Sequence, residues 1–289
     1  MTRFGWDDSD LQVDKAMSHR GWYRIDPLLV LTVLTYGFLF LPVFIVVLMS
    51  FHPHSVVSFP IPSYTLKWYR EFWQDRPLID SLVNSILLGL FSSVLAGVIG
   101  TLAAIGFVRS RFRGKQLFGA IILSPMILSG IITGIALLSF ITSIHIYKSF
   151  TVLVIGHALL TFPYVFLVVQ TQLYGFDRSI EEASMNLGAN ELETFFYVTL
   201  PNILPSIIAG MLFAFTISID EFVATQCWVT PSTETVPIKI FSMLRFEVTP
   251  KVNVLGTIIV AVTITFPLLA EKLVARRMGV GLAREQKGA

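Results

Sequence analysis

The stretch EASMNLGANELETFFYVTLP, residues 182–201, decides how the rest of the chain is organised. It is polar and acidic. It separates two apolar runs, residues 150–174 and 203–224, that are each long enough to cross the hydrocarbon core of a bilayer. Pro201 and Pro205 are typical of a first helical turn and predict that a long helix begins there. The stretch is therefore a polar connection between two predicted membrane spans.

Helix signals occur twice in and just before this stretch. Ser179 with Glu182, and Asn190 with Glu193, have the spacing of a capping box, in which both side chains bond free N–H groups at a helix start. Gly188 lies between the two pairs, where a glycine commonly ends a helix. The pattern predicts two short helices joined by a sharp turn.

The composition is that of a protein that crosses a membrane several times. Of 289 residues, 54% are hydrophobic and 14% are charged, whereas a soluble domain has about 25% charged residues. The net charge of +2 is too small to favour nucleic acid as a partner. The single cysteine, Cys227, excludes an internal disulfide and a cysteine-based metal cage, and no P-loop, HExxH or GxGxxG pattern is present. We expect no catalytic residues, no metal site and no ATP-hydrolysing site in this chain.

Apolar segments long enough for a membrane-spanning helix occur six times, so the sequence predicts an all-α membrane protein. The predicted spans are residues 28–50, 81–108, 117–141, 150–174, 203–224 and 254–274. The corresponding division is a tail at 1–27, a transmembrane domain at 28–277 and a second tail at 278–289. The first tail lacks the apolar core that directly follows the basic start of a signal peptide, so we expect it to be cytoplasmic.

Basic residues collect in two places that fall on one side of a protein with six spans. One group lies between the second and third spans: Arg109, Arg111, Arg113 and Lys115. The other lies at and beyond the end of the sixth span: Lys272, Arg276, Arg277, Arg284 and Lys287. Cytoplasmic loops and tails are enriched in Lys and Arg. Both termini and the 182–201 stretch are therefore predicted to be cytoplasmic.

Five residues of that stretch carry a resemblance to a known family. Glu182, Ala183, Gly188, Leu200 and Pro201 fit, in type and spacing, the motif E-A-A-x3-G-x9-I-x-L-P. The motif resembles the cytoplasmic signature of membrane subunits of ATP-binding-cassette (ABC) importers. The resemblance implies a type I importer fold, in which this stretch forms coupling helices that dock into a groove on the ATPase subunit.

The motif has two mild departures and one alternative interpretation. Ser184 replaces the second alanine and Val198 replaces the isoleucine, and both changes conserve size. The alternative is an amphipathic helix that lies on the membrane interface through Phe195, Phe196 and Tyr197.

Three further stretches resemble the polyamine-type permeases, which import spermidine and putrescine. They are RSRFRGK at 109–115, FTISIDEF at 215–222 and VPIKIFSMLRFEVTPKVN at 236–253. The resemblance implies a multi-pass permease subunit of the bacterial inner (plasma) membrane. It also implies a second, homologous permease subunit, a dimer of ATPase subunits that binds ATP and magnesium, and an extracytoplasmic solute-binding protein. Permeases for iron, opines, thiamine or amino-acid derivatives share this architecture.

Two adjacent carboxylates near the outer end of the fifth span are the candidates for contact with a solute. Each of Asp220 and Glu221 costs about 2.5–3.5 kcal/mol inside a membrane, so such residues commonly face a cavity on a substrate path. Successive helix positions point about 100° apart, so we expect only one of the two to line the path. Trp228 offers a cation–π face to a cationic solute. The alternative is a structural ion pair, or carboxylates already in water at the end of the span.

A different class of transport protein, an ATP-independent channel or secondary carrier, is the rival interpretation. Secondary carriers commonly contain interrupted helices and inverted repeats, and the sequence shows no sign of either. His157 is isolated in the fourth span. Such a histidine is more often a hydrogen-bonded packing residue than part of a relay, and we assign it no role.

Overall fold

The computed structural model describes residues 27–54, 61–246 and 249–285, without the side chains of Pro27, Glu271 and residues 273–285. The predictions for residues 1–26 and 286–289, and for the basic side chains beyond residue 272, lie outside this part. Within it, every regular element is a helix. The chain divides into two compact units, one ending at Val46 and one starting at Val47.

Helix α1, Pro27–Met49, accounts for the described part of the first unit and continues into the second. Its apolar side chains from Leu28 to Ile45 are all exposed in the isolated chain. A helix that is apolar on all sides is typical of a membrane span. The first predicted span is therefore confirmed as a helix of the required length and composition.

The second unit contains the remaining helices. They are α2 (Lys67–Phe72), α3 (Arg76–Arg109), α4 (Lys115–Ile127), α5 (Gly130–Ser143), α6 (Phe150–Gly175), α7 (Ser179–Asn186), α8 (Glu191–Thr194), α9 (Leu200–Asp220), α10 (Thr225–Trp228), α11 (Val236–Phe246) and α12 (Lys251–Glu285). A π-helical turn, Phe195–Thr199, joins α8 to α9 without a break.

The centre of this unit is a bundle of α3, α6 and α9, which pack against one another along most of their length. Its core contains Ala96, Val165, Phe166 and Ala214, all at most 1% exposed. Gly100 of α3 lies so close to α6 that an added Cβ would come within 2.8 Å of the Val165 side chain. Small residues allow this approach, which is how membrane helices gain packing contacts without a hydrophobic driving force.

The third predicted span, residues 117–141, is a bent pair of helices rather than one continuous helix. The chain bends by 106° between α4 and α5, because Leu128 and Ser129 adopt extended backbone conformations between them. Pro125 has no N–H to bond the carbonyl of Ile121, and the Ser124 hydroxyl bonds that carbonyl instead, at 2.8 Å. In the described residues, five helices are long and apolar enough to span a membrane, and the bent pair makes six if it counts as one span.

The fifth span also ends earlier than predicted. Helix α9 stops at Asp220, and Glu221 has an extended backbone with ψ 112°. The chain then forms the short helix α10 rather than continuing to Ala224 as one helix. As a result, Asp220 lies at a helix end and Glu221 lies in the break beyond it.

Candidate coupling surface and transport path

Residues 176–199, between α6 and α9, are named here the polar connection. Gly188 ends α7 with a φ of +99°, a conformation that L side chains rarely adopt. Asn190 then caps α8: its Oδ1 accepts the Glu193 N–H at 2.9 Å, and its own N–H donates to Glu193 Oε2 at 2.8 Å. The capping box predicted at Asn190 and the sharp turn predicted at Gly188 are both confirmed.

The other predicted capping box does not form. Ser179 is the first residue of α7 rather than its cap, and its backbone N–H donates to Asp177 Oδ1 at 2.9 Å. That hydrogen bond to the ionised carboxylate lowers the pKa of Asp177. The second short helix is also not separate, because residues 191–220 form one continuous helix through the π-helical turn.

The polar connection exposes large apolar side chains. Leu187 is 91% exposed, Tyr197 80% and Leu192 71%, and no residue of α7 is buried. Of the residues predicted to couple to an ATPase, Glu182, Ala183, Gly188 and Pro201 are exposed and Leu200 is half-buried. Apolar groups exposed together on a polar segment commonly mark a surface that another protein covers.

A cluster that the sequence did not predict joins the polar connection to the bundle. Arg109, the last residue of α3, donates a hydrogen bond to Glu181 of α7, and the same carboxylate oxygen accepts the hydroxyl of Thr199. Arg109 also donates to the Thr199 hydroxyl oxygen, at 3.2 Å. Thr199 is fully buried at the entrance to α9. These contacts join residues 72 and 18 positions apart, so no local sequence signal reveals them.

At the opposite end of α9, Asp220 is exposed and lines a cavity of about 540 Å³ formed with α11 and α12. The cavity wall is otherwise apolar apart from two threonines, Thr216 and Thr263. Both threonine hydroxyls donate to carbonyls of their own helices, at 3.0 and 2.8 Å. Asp220 is thus the charged group that this cavity offers to an occupant.

The structure gives Glu221 and Trp228 other contacts. The Glu221 carboxylate accepts the Ala224 N–H at 2.8 Å and so caps the break after α9. Trp228 is fully buried, and its indole N–H donates to the Gly134 carbonyl oxygen at 2.7 Å. An added Cβ on Gly156 would lie 2.4 Å from the Trp228 ring. These contacts support a capping role for Glu221 and a packing role for Trp228, rather than places on a solute path.

A buried chain of hydrogen bonds runs behind this break. His157 of α6 bonds Ser218 through Nδ1, at 2.8 Å, and Thr225 through Nε2, at 2.9 Å. Thr225 donates its own hydroxyl to the Glu221 carbonyl oxygen, at 2.7 Å, so it must accept from a protonated Nε2. Nδ1 then accepts from Ser218, which in turn accepts from Ser92 of α3 at 2.9 Å. The prediction that His157 is a hydrogen-bonded packing residue is confirmed.

These features define a class of protein: a multi-span helical membrane protein with an exposed polar connection and a cavity at opposite ends of one helix. Residues 96–280 match the family described as the binding-protein-dependent transport system inner membrane component. The chain belongs to this family and is a permease subunit of an ABC importer.

Curated relatives and solved structures agree with that assignment. The chain is 33% identical to the putrescine transport system permease protein PotI of Escherichia coli K12, over 86% of this chain and 90% of that protein. It is 31% identical to the spermidine/putrescine transport system permease protein PotC of Haemophilus influenzae, over 84% and 93%. A bacterial alginate ABC transporter, solved with an alginate-bound periplasmic protein, superposes with a TM-score of 0.68 at 14% identity, over 93% and 97%. The last likeness shows the type I importer fold alone.

Proposed function

We propose that this permease subunit imports a small cationic solute, and that the solute is a polyamine such as putrescine or spermidine. The observation that carries the proposal is the carboxylate of Asp220 in a cavity at the C-terminal end of α9, whose lining is otherwise apolar apart from two threonines. A polyamine combines ammonium groups with an aliphatic chain. A carboxylate beside an apolar wall provides a partner for each part.

The relatives support the same solute class. PotI and PotC are permeases for putrescine and for spermidine and putrescine, and each matches more than four fifths of this chain. A bacterial alginate ABC transporter imports an acidic polysaccharide and has a similar fold, so the fold by itself does not select the solute. An opine, an amino-acid derivative, iron or thiamine is the alternative solute.

We infer the partners from the exposed polar connection and from the family. The exposed apolar side chains around Leu187 and Tyr197 form the surface on which an ATPase subunit docks. A dimer of such subunits binds ATP and magnesium, and this chain supplies none of the hydrolytic residues. A second, homologous permease subunit completes the membrane part. An extracytoplasmic binding protein delivers the solute, and both termini of this chain are cytoplasmic.

One observation from the structure favours the rival class, an ATP-independent channel or carrier. The broken pair α4 and α5 resembles the discontinuous helices of secondary carriers. Family membership and the exposed polar connection favour the ATP-driven class, because a carrier has no need of a docking surface for an ATPase.

The proposal is tested by purifying the tagged chain after co-expression with its candidate partners and reconstituting the complex in vesicles. We expect an ATPase subunit to co-purify, and uptake of labelled putrescine to need both ATP and the binding protein. Excess spermidine should compete with this uptake, whereas excess thiamine or octopine should not. Uptake that continues without ATP hydrolysis contradicts the class, and competition by thiamine or octopine alone contradicts the solute.

A further inference from the structure

Helix α7 makes few polar contacts with other elements. In the described residues, two of its side chains make hydrogen bonds to other elements: Ser184 to Thr194 at 3.2 Å, and Glu181 to Arg109 and Thr199. Ser184 connects α7 only to α8, within the polar connection. Glu181 is therefore the side chain through which α7 is bonded to α3 and to the start of α9.

The setting of Glu181 makes this attachment stronger than an ordinary surface ion pair. Its side chain is only 14% exposed, that of Arg109 is 37% exposed, and Thr199 is fully buried. Exposed pairs contribute little because water and salt screen them, whereas charged hydrogen bonds with restricted solvent access are stronger and more directional. One carboxylate oxygen accepts from both partners, so movement of Glu181 displaces both together.

Both partners occupy positions from which a displacement reaches the outer side of the membrane. Arg109 ends the 34-residue helix α3, which is about 51 Å long at 1.5 Å per residue. Thr199 lies at the start of α9, whose far end presents Asp220 to the cavity. Helices α3 and α9 also pack against each other, so they move as packed bodies rather than bending locally.

We propose that Arg109, Glu181 and Thr199 form a clamp that transmits the movement of α7 to α3 and α9. This inference rests on the proposed docking of an ATPase subunit on the polar connection. In it, the three residues are positioning residues: they touch neither solute nor ATP, and they determine how much solute moves for each ATP hydrolysed. Without the clamp, α7 can move with the ATPase subunit while α3 and α9 do not move.

The test measures the ratio of solute imported to ATP hydrolysed, per assembled complex in vesicles, for Arg109→Gln, Glu181→Gln and the double variant. We expect each single change to lower this ratio about tenfold, the factor that corresponds to losing a weak charged hydrogen bond. The double variant should be no worse than either single one, because both changes break the same contact. The matched control is Arg111→Gln, since the structure records no ion pair for Arg111 within the described residues and its side chain is exposed. This control should keep the parental ratio.

Two results overturn the clamp. One is an unchanged ratio in both single variants, and the other is an additive loss in the double variant. Should Arg109→Gln prevent assembly, Thr199→Val decides, because it keeps the ion pair and removes both hydrogen bonds of the Thr199 hydroxyl, to Glu181 and from Arg109. An unchanged ratio in this variant counts against the clamp. Co-purification of the ATPase subunit with the unaltered chain tests docking separately, so failure of the clamp and failure of the proposed function are distinguishable.

Discussion

At the scale of single residues, Gly188 is a position where the backbone conformation strongly disfavours a side chain. Its φ of +99° is strained for any L residue, and nothing lies within 4 Å of an added Cβ, so the strain is purely conformational. We expect Gly188→Ala to cost about 1–2 kcal/mol in the turn, and Gly188→Asp to lower uptake further by adding charge to the docking surface. Glu182→Lys should impair coupling in the same assay.

The matched control for Gly188 is Gly175→Ala. Gly175 also has nothing within 4 Å of an added Cβ, but its φ lies outside the positive range. The readout is uptake and ATP hydrolysis by the reconstituted complex. The docking assignment would be wrong if the two alanine variants were equally active. Gly188→Asp and Glu182→Lys would also have to leave uptake unchanged.

Asp220 and Glu221 are adjacent but are predicted to differ in their effect on transport. Asp220→Asn removes the charge from the cavity while keeping the shape, and should lower putrescine uptake about ten- to a hundredfold. Glu221→Gln keeps an oxygen that accepts the Ala224 N–H, so its effect should be smaller. Uptake of labelled putrescine is measured with the ATPase and binding protein held constant. Parental rates in both variants would show that no carboxylate here contacts the solute, and the cationic assignment would fall.

At the scale of elements, the buried hydrogen bonds of His157 hold the break after α9 against α6. We expect a double-mutant cycle of His157→Phe and Ser218→Ala to give a coupling energy of about 0.6–1.7 kcal/mol, from the average to the largest value for hydrogen bonds between membrane helices. The measurement is the free energy of unfolding in detergent and denaturant. Thr171→Ala is the control, because Thr171 is exposed and bonds only its own helix, at Leu167. The free-energy changes of His157→Phe and Thr171→Ala should be additive. If those of His157→Phe and Ser218→Ala were also additive, the proposed chain of hydrogen bonds would be contradicted.

Elements were predictable where a local pattern determines them. The apolar length of the spans, the box at Asn190 and the turn at Gly188 are each set by residues within a few positions of one another. The bend after α4 was missed because Pro125 is tolerated inside a helix and the extended residues Leu128 and Ser129 are ordinary in type. The ends of α9 were displaced because the π-helical turn at Phe195–Thr199 runs into its start and the Glu221 carboxylate caps the break after it. Both features are local, but neither has a sequence pattern as distinctive as a capping box.

The candidate site was predictable only in part, because some of its contacts join residues that are distant in sequence. Asp220 could be predicted because a charged residue in an apolar run is recognisable in the sequence, and its free-energy cost in a membrane indicates a function. The contacts of Glu181 and the burial of Trp228 depend on which helices pack together. An aromatic residue near a carboxylate has the same sequence pattern whether it faces a solute or fills the core.

At the scale of the whole molecule, the proposed topology has six crossings and both termini in the cytoplasm, and it predicts the location of two reporters. A reporter fused after residue 289 should be cytoplasmic, and one inserted near Ser63, which lies between α1 and α2, should be external. Protease protection in inverted and right-side-out vesicles measures both. A cytoplasmic reporter at Ser63 would be incompatible with the crossings, and the polar connection would then lie on the wrong side for an ATPase.

The exposed side chains of the polar connection also affect the number of permease molecules in a cell. Leu187 at 91% and Leu192 at 71% exposure resemble the features by which proteases and chaperones detect incomplete proteins. A copy synthesised without its ATPase should therefore be degraded, and the scarcest subunit should set the abundance of the transporter. Pulse-chase labelling in cells depleted of the ATPase subunit should show a shortened half-life, and Leu187→Gln together with Leu192→Gln should lengthen it. An equal half-life with and without the ATPase would mean that synthesis alone sets the copy number.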